Sequence, residues 1–319
     1  MSMNQIIQVL KKNKRFLIST HVNPDPDALC SEMALAEFLR SMGKVVTVIN
    51  SESVPRRYRF LPGMSRIKSY RKDFKRDYDV AVIVDCGELD RIGKVKDLIR
   101  GDTLIVNIDH HITNDKFGDY NLIQPQASST AEILFELLTK AKCRFTRNLA
   151  THLYAGIMTD TGSFRYENAA PRTHAITAEL MKWNIAPHRL YQKFYENVSF
   201  KDLKAFIELI RRLKMHCGGK VASLALTKKV MSKFSEDFDL RDAVFKLLRS
   251  VKGVMVVVIC VQVNQGKTRI NFRSSEKFNV ARLAAHFNGG GHRRASGCMI
   301  DRNISQARKA VIHQIRAQL

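Results

Sequence analysis

Two short stretches of this chain, HVNPDPDA at 21–28 and Asp109-His110-His111, hold the side chains best suited to bind hard cations. They supply three carboxylates and three imidazoles, the oxygen and nitrogen donors that a pair of divalent ions takes. Asp25 and Asp27 stand two apart around Pro26. The proline fixes its own φ and pushes Asp25 toward extended backbone, which puts both carboxylates on a stiff loop. Held that close they repel unless a positive charge lies between them, and a bound cation supplies one. His21, four residues earlier, offers a neutral nitrogen to the same ion. Taken alone, N-P-D-x-D also describes an Asx turn capping the next helix. Two more acids extend the set. Asp85 ends the apolar run DVAVIVD, and Asp160 sits in IMTDTGSF, where a carboxylate after an apolar helix is expensive unless paired. In extended backbone His110 and His111 point to opposite sides, so one is expected on a cation and the other toward a substrate.

The elements that must position these groups alternate in kind. Arg15 to Thr20, Lys44 to Asn50, Asp79 to Asp85 and Thr103 to Asp109 read as strands, the last two as buried parallel strands that each end in an aspartate. Asp27 to Met42 reads as an amphipathic helix. Ser129-Thr130-Ala131-Glu132 has the form of a capping box opening a helix through about Lys142, followed by helices at Arg147–Thr159 and Arg172–Trp183. A mostly parallel sheet flanked by helices fits this order, and in such sheets ligands collect at the carboxyl ends of the strands. Pro187 to Met215 is charged and helical without strand signals. Beyond it come strands at Val221–Leu226, Val254–Val263 and Thr268–Arg273, a helix at Asn279–His286, a glycine-rich turn and a terminal helix. The expected fold is α/β, with a catalytic domain over 1–190, a helical linker over 191–215, a smaller α/β substrate-binding domain over 216–319, and the active site in the cleft between the two domains.

Composition bounds the partners. The 319 residues suit two domains of ordinary size. The N-terminus carries charges where a signal peptide needs an apolar stretch, and the longest apolar run, Val254 to Val263, is far short of a bilayer span, so a cytoplasmic protein with no membrane partner is expected. Six scattered cysteines without a C-x-x-C pair indicate reduced, mostly buried thiols rather than a zinc knuckle or disulfide framework. Residues 200–319 hold 24 Lys/Arg against 8 Asp/Glu, a net of +16, while residues 1–199 hold 29 against 22, a net of +7. Such a basic surface attracts polyanions, though it is also what an ordinary solvated face looks like. Gly289-Gly290-Gly291-His292-Arg293-Arg294 joins backbone freedom to three potential cations, the chemistry of an anion cradle or of a plain loop. Phe164, Arg165 and Tyr166, near Asp160, fit either a stacking surface or the core packing common for aromatic residues at a helix end. The remaining histidines, His152, His174, His188, His216, His286 and His313, read as ordinary polar or helix-surface residues.

In order along the chain, HVNPDPDA, VIVDCG at 82–87, VNIDHH at 106–111, GIMTDTGSF at 156–164 and FNGGGHRRASG at 287–297 resemble the DHH/DHHA1 phosphoesterase superfamily. Within it they are most similar to the nanoRNase branch of bifunctional oligoribonucleases and 3'-phosphoadenosine 5'-phosphate (pAp) phosphatases. The resemblance spans nearly the whole chain and implies two manganese ions. His21, Asp25 and Asp85 would hold the first; Asp27, Asp85, His110 and Asp160 would hold the second, with Asp85 bridging. Asp109 would orient its neighbours, and His111 would touch the scissile phosphate or leaving group. Gly289, Gly290, Gly291, His292 and Arg294 match the family's GGGH signature, and Arg273-Ser274 its R-S pair, all implied to meet the nucleotide. Pro26 and Cys30 stand where glycine is frequent in the family.

The implied activity is hydrolysis of short single-stranded oligoribonucleotides to nucleoside 5'-monophosphates, and of pAp to AMP and phosphate. A stand-alone cyclic-di-AMP or linear pApA phosphodiesterase is the nearest alternative. A RecJ-like exonuclease, an inorganic pyrophosphatase, and a nucleic-acid-binding module with a vestigial site fit less well. The residues leave oligomeric state open, and the family's frequent homodimers supply the one expectation.

Overall fold

A computed structural model describes residues 2–275 and 278–319, and it leaves the His292 side chain outside the described atoms. The chain divides into two compact units, Met1–Glu196 and Asn197–Leu319.

The first unit contains α1 (Met3–Lys12), β1 (Arg15–Ser19), α2 (Pro26–Ser41), β2 (Val45–Asn50), β3 (Lys68–Ser69), β4 (Val80–Val84), β5 (Leu104–Asp109), β6 (Tyr120–Ile123), α3 (Thr130–Lys140), α4 (Arg147–Asp160), α5 (Pro171–Met181) and α6 (Pro187–Tyr195). The strands form one sheet in the order β3-β2-β1-β4-β5-β6, and every pair is parallel. Chain order therefore reverses between β1 and β4. The loops leaving those two strands diverge there and open a crevice at the carboxyl edge, where open α/β sheets bind ligands. All five residues of β4 are buried because both faces of the sheet are covered, which is why it reads as an unbroken apolar run. Phe16, Ile18, Val82 and Val84 face a core shared with α1 to α4; Leu17 and Ile83 face Ile92, Val95 and Leu98 on the other side. Residues 89–98 are 3-10 turns broken at Gly93 (φ 61°), not a continuous helix. α2 begins with Asp25 as N-cap and Pro26 in its first turn, an arrangement that leaves no lost N–H to satisfy. Twelve of its sixteen residues are buried, since it packs against the sheet, α3 and α4 together.

The second unit contains α7 (Phe200–Ile210), β7 (Lys214–His216), β8 (Val221–Leu226), α8 (Lys228–Met231), α9 (Leu240–Arg249), β9 (Val256–Gln262), β10 (Thr268–Ser274), α10 (Val280–Ala285), β11 (Gly290–His292), β12 (Ala295–Ile300) and α11 (Ile304–Arg316). Its sheet runs β11-β12-β10-β9-β8-β7, antiparallel except for β8 with β9. α10 and α11 cover one face; α7 and α9 cover the other.

Five strands lie outside the sequence expectation, one of them the three-residue β7 in a stretch expected to be helical. β3 has two residues and β6 four, too few for a periodic signal. β12 buries Ser296, Cys298 and Ile300 on alternate positions, and the small polar first member hides the period. β11 stands where a glycine-rich turn is expected, so the Gly290-Gly291-His292 run is an edge strand paired to Gly297-Ser296-Ala295. Glycine is required for that pairing. A Cβ at Gly289 would lie 2.3 Å from the Gly297 carbonyl oxygen, and one at Gly291 would lie 2.6 Å from that of Ala295. The charged stretch 187–215 holds α6, α7 and the start of β7. No helix among the described residues is long and apolar enough to cross a membrane.

Candidate metal centre

His21 and Asp25 leave the end of β1, Asp27 opens α2, Asp85 follows β4, His110 and His111 follow β5, and Asp160 closes α4. The structure brings all seven to the crevice. His21, Asp25 and Asp85 offer ligand atoms within 4.8 Å of one another; so do Asp27, His110 and Asp160, and so do Asp85, His110 and His111. Asp85 lies between the sets. Its Oδ2 is 3.7 Å from His21 Nε2, and its Oδ1 is 3.6 Å from His110 Nε2 and 3.9 Å from His111 Nδ1. Asp85 adopts φ 53°, a left-handed conformation uncommon for a residue with a side chain and found where function constrains the backbone. His110 Nε2 is also 3.6 Å from Asp160 Oδ2.

Hydrogen bonds fix how each donor presents itself. His21 Nδ1 lies 2.9 Å from the Val22 carbonyl oxygen and His110 Nδ1 3.4 Å from that of Ala127. With Nδ1 donating to a carbonyl, Nε2 is the nitrogen turned toward the carboxylates, and loss of its proton to an incoming ion leaves the tautomer a metal ligand needs. Asp109 is fully buried and accepts from the His110 N–H (2.8 Å), His111 Nδ1 (2.6 Å) and Asn114 Nδ2 (2.6 Å). That grip corrects the expectation for the paired histidines. β5 stops at Asp109, the chain turns through His111–Asn114, and the two rings converge with centroids 4.9 Å apart instead of facing opposite sides. Asp25 both caps α2, accepting from Ala28 N–H at 3.0 Å, and joins the His21 group, so the capping and ligand readings of N-P-D-x-D hold together.

The electrostatics fit divalent cations. Asp27 is 1% exposed, yet among the described residues no lysine or arginine pairs with Asp27, Asp85 or Asp160. Burial, reinforced by Asp85 and Asp160, holds the Asp27 carboxyl well above its usual range. Burial likewise pushes Asp160 to about 7 against the pull of His110. Asp85 is also buried, but His21, His110 and His111 outweigh that and hold its pKa below the ordinary value. Burial opposes charge on His21 and His110, yet their carboxylate neighbours push both to about 9. Crowded buried acids balanced only by imidazoles are costly without further positive charge, and the donor set of carboxylate oxygens and imidazole nitrogens suits hard or borderline divalent ions. Cys30 is inaccessible and burial holds its thiol well above the ordinary value, which makes it inert.

The expected substrate contacts lie in the second unit. Arg273 and Ser274 end β10; the Arg273 guanidinium stands 4.8 Å over the Phe245 ring and donates to the Phe272 carbonyl. Ser274 is 2% exposed and its hydroxyl donates to the Phe278 carbonyl at 2.7 Å, so it ties the end of β10 to Phe278. Gly290 and Gly291 are exposed on β11, Gly289 is partly exposed just before it, and Arg294 lies in the turn to β12. The His292 side chain lies outside the described atoms.

Several contributors have little sequence signal. Thr130 donates its N–H to Asp27 Oδ2 (2.7 Å) and its hydroxyl to Asp85 Oδ1 (2.8 Å). The capping motif marks a helix start there but not its direction. Only half of the capping box forms: Ser129 Oγ accepts from Glu132 N–H, while the Glu132 carboxylate takes the hydroxyls of Ser128 and Thr173. Gly156 lets α4 approach α2, since a Cβ there would lie 2.6 Å from Asp27 Oδ1. Asn114 ties Asp109 to Asn107. His152 is not on the surface: it is buried in α4, and burial holds it neutral with a pKa near 4.

Fold and site define a two-unit α/β protein with an Asp/His cluster suited to divalent cations at a topological switch point. The sequence matches the DHH family, N-terminal domain, over residues 15–157 and the DHHA1 domain over residues 218–317, and the chain belongs to the DHH/DHHA1 family. It is 28% identical to a protein of Thermus thermophilus named bifunctional oligoribonuclease and PAP phosphatase NrnA, across 99% of this chain and 94% of that one. It is 26% identical to the Bacillus subtilis protein of the same name, across 93% and 92%. A solved structure of an exopolyphosphatase-related protein from Bacteroides fragilis matches with a TM-score of 0.90 at 27% identity, covering 99% of this chain and 96% of that one.

Proposed function

We propose that this protein is a two-cation phosphoesterase that releases nucleoside 5'-monophosphates from short oligoribonucleotides and converts pAp to AMP and phosphate. The observation that carries the reading is Asp85, whose two oxygens each face a different histidine at the centre of the acidic cluster. The names of the full-length relatives favour this substrate class.

When bound, a pair of divalent cations, here manganese, lowers the pKa of a water molecule and neutralises charge growing on the phosphoryl oxygens. The chain's own part is positioning. His21, Asp25 and Asp85 would hold one ion, and Asp27, Asp85, His110 and Asp160 the other. Asp109 keeps the Nδ1 proton of His111 in place, which aims the opposite edge of that ring at a phosphate or leaving-group oxygen. His111 stays protonated more readily than an ordinary histidine: burial opposes its charge, but the bond to Asp109 and the charges of Asp85 and Asp109 together outweigh burial. It can therefore donate from Nε2. In the second unit, Arg273, Arg294, His292 and the backbone of Gly289 to Gly291 would bind the remainder of the nucleotide. Arginine suits this because its guanidinium meets phosphate through two parallel hydrogen bonds.

Turnover of pAp, two- to five-nucleotide RNA, linear pApA and cyclic-di-AMP, each with manganese, tests the reading. Hydrolysis of pAp and short RNA is expected. Turnover confined to cyclic-di-AMP or pApA would transfer the assignment to a dinucleotide phosphodiesterase.

A further inference from the structure

The first turn of α3 touches both halves of the acidic cluster through one residue. Thr130 has no exposed surface and makes two bonds to two different carboxylates. Its N–H donates to Asp27 Oδ2 at 2.7 Å and its hydroxyl to Asp85 Oδ1 at 2.8 Å. The next N–H, of Ala131, donates to Asp27 Oδ1 at 3.0 Å. Asp27 belongs to α2 and Asp85 to the loop after β4, 58 positions apart in sequence, and among the described residues no hydrogen bond joins them directly. Their separation is therefore set by a third element.

We infer that Thr130 is a positioning residue that fixes the spacing between the two cation positions, by clamping the carboxylate of one set to the carboxylate shared by both. The inference rests on the two-cation reading above and adds to it a residue that touches neither substrate nor ion. The chemistry favours threonine at this position. A hydroxyl donating to a carboxylate occupies one lone pair of Asp85 Oδ1 and leaves the others directed at His110 and the crevice. The helix N-terminus adds a fixed positive field at Asp27 that does not depend on a titrating group. The γ-methyl group stiffens χ1, so the hydroxyl does not wander between rotamers. Side chains that orient metal ligands in this way typically set affinity by 10- to 100-fold.

The test is calorimetric titration of metal-free protein with Mn2+, alongside thermal unfolding of the same metal-free samples. The wild-type chain is expected to take up two ions. Thr130→Val keeps the shape and removes the donor; it is expected to unfold cooperatively, to bind one ion, and to bind the second at least about tenfold more weakly. Thr130→Ser, which restores the donor, is expected to recover most of that loss. Thr130→Cys, similar in size to serine but a weak donor, should behave like valine and stands in if the valine variant does not fold. Two unchanged affinities in the valine or cysteine variant, beside a normal wild-type pair, would overturn this inference alone. A serine variant as impaired as valine would also overturn it, because loss would then follow packing and not the hydroxyl. A wild-type chain that binds a single ion would overturn the two-cation reading and this inference with it.

Discussion

The carboxyl edge of the first sheet and the glycine-rich edge of the second represent two ways of making a polar site. In the first, charged groups are buried and held by directed bonds: Asp109 by three donors, Asp27 by two N–H groups of α3, and His21 through the Val22 carbonyl. In the second, space is cleared by omission. Gly289 and Gly291 have no side chain because β12 lies against them, while Gly290 meets nothing within 4 Å. A buried charged site is sensitive to the loss of any one atom. An open glycine edge tolerates change except where strands touch.

The largest effect expected falls on the first site. Asp85→Asn is the informative substitution, because asparagine tolerates the left-handed backbone at φ 53° that alanine resists. It should leave a folded protein and lower kcat by about 10³-fold or more, since removing a single group aimed at developing charge already removes about 10²- to 10³-fold. Near-normal turnover of short RNA would break the contrast. The second effect concerns protons. In the metal-free protein His21 and His110 carry charge to about pH 9, and ions must displace those protons. Affinity for Mn2+ should rise with pH between 6 and 9, close to about tenfold per unit for each proton released. The same two groups contribute stability to the metal-free chain that is fully present below an ordinary histidine pKa and is lost as pH climbs through about 9. Calorimetry in buffers of different ionisation enthalpy checks the release; a flat pH profile would contradict it.

The glycines sharpen the comparison from the other side. Gly289→Ala would place a Cβ 2.3 Å from the Gly297 carbonyl oxygen and 2.4 Å from Cys298 Cβ, and should destabilise the second unit by about 1–3 kcal/mol. Gly290→Ala meets open space and should leave the unfolding temperature unchanged. If Gly290→Ala nevertheless raises KM for pAp, the exposed edge serves the substrate; an unchanged KM would leave β11 a structural strand. The smallest effect is electrostatic screening. Residues 200–319 carry a net +16, and for two phosphate contacts to a single strand, KM for short RNA should rise roughly sevenfold between 50 and 200 mM salt. No salt dependence would remove the basic unit from substrate binding.

How legible each site is in sequence follows from the same contrast. Residues that end long buried strands, Asp85 and Asp109, stand out because an acid after an apolar run has few structural excuses. The four principal strands of the first unit are legible for the same reason. What the sequence does not carry is direction. The convergence of His110 and His111 depends on Asp109 gripping both, and the clamp by Thr130 depends on where α3 starts in space. β11 and β12 are hidden because glycine, serine and alanine there are chosen for close backbone approach, so their period carries no hydrophobic signal. Gly156 belongs with them, as a glycine inside a helix whose reason is the neighbouring Asp27 carboxylate.

Anomalous diffraction at the manganese edge from crystals soaked in Mn2+ tests the central claim most directly. Two peaks are expected, one on each side of the Asp85 carboxylate, the first beside His21 and Asp25, the second beside Asp27, His110 and Asp160. A single peak, or peaks away from Asp85, would contradict the account.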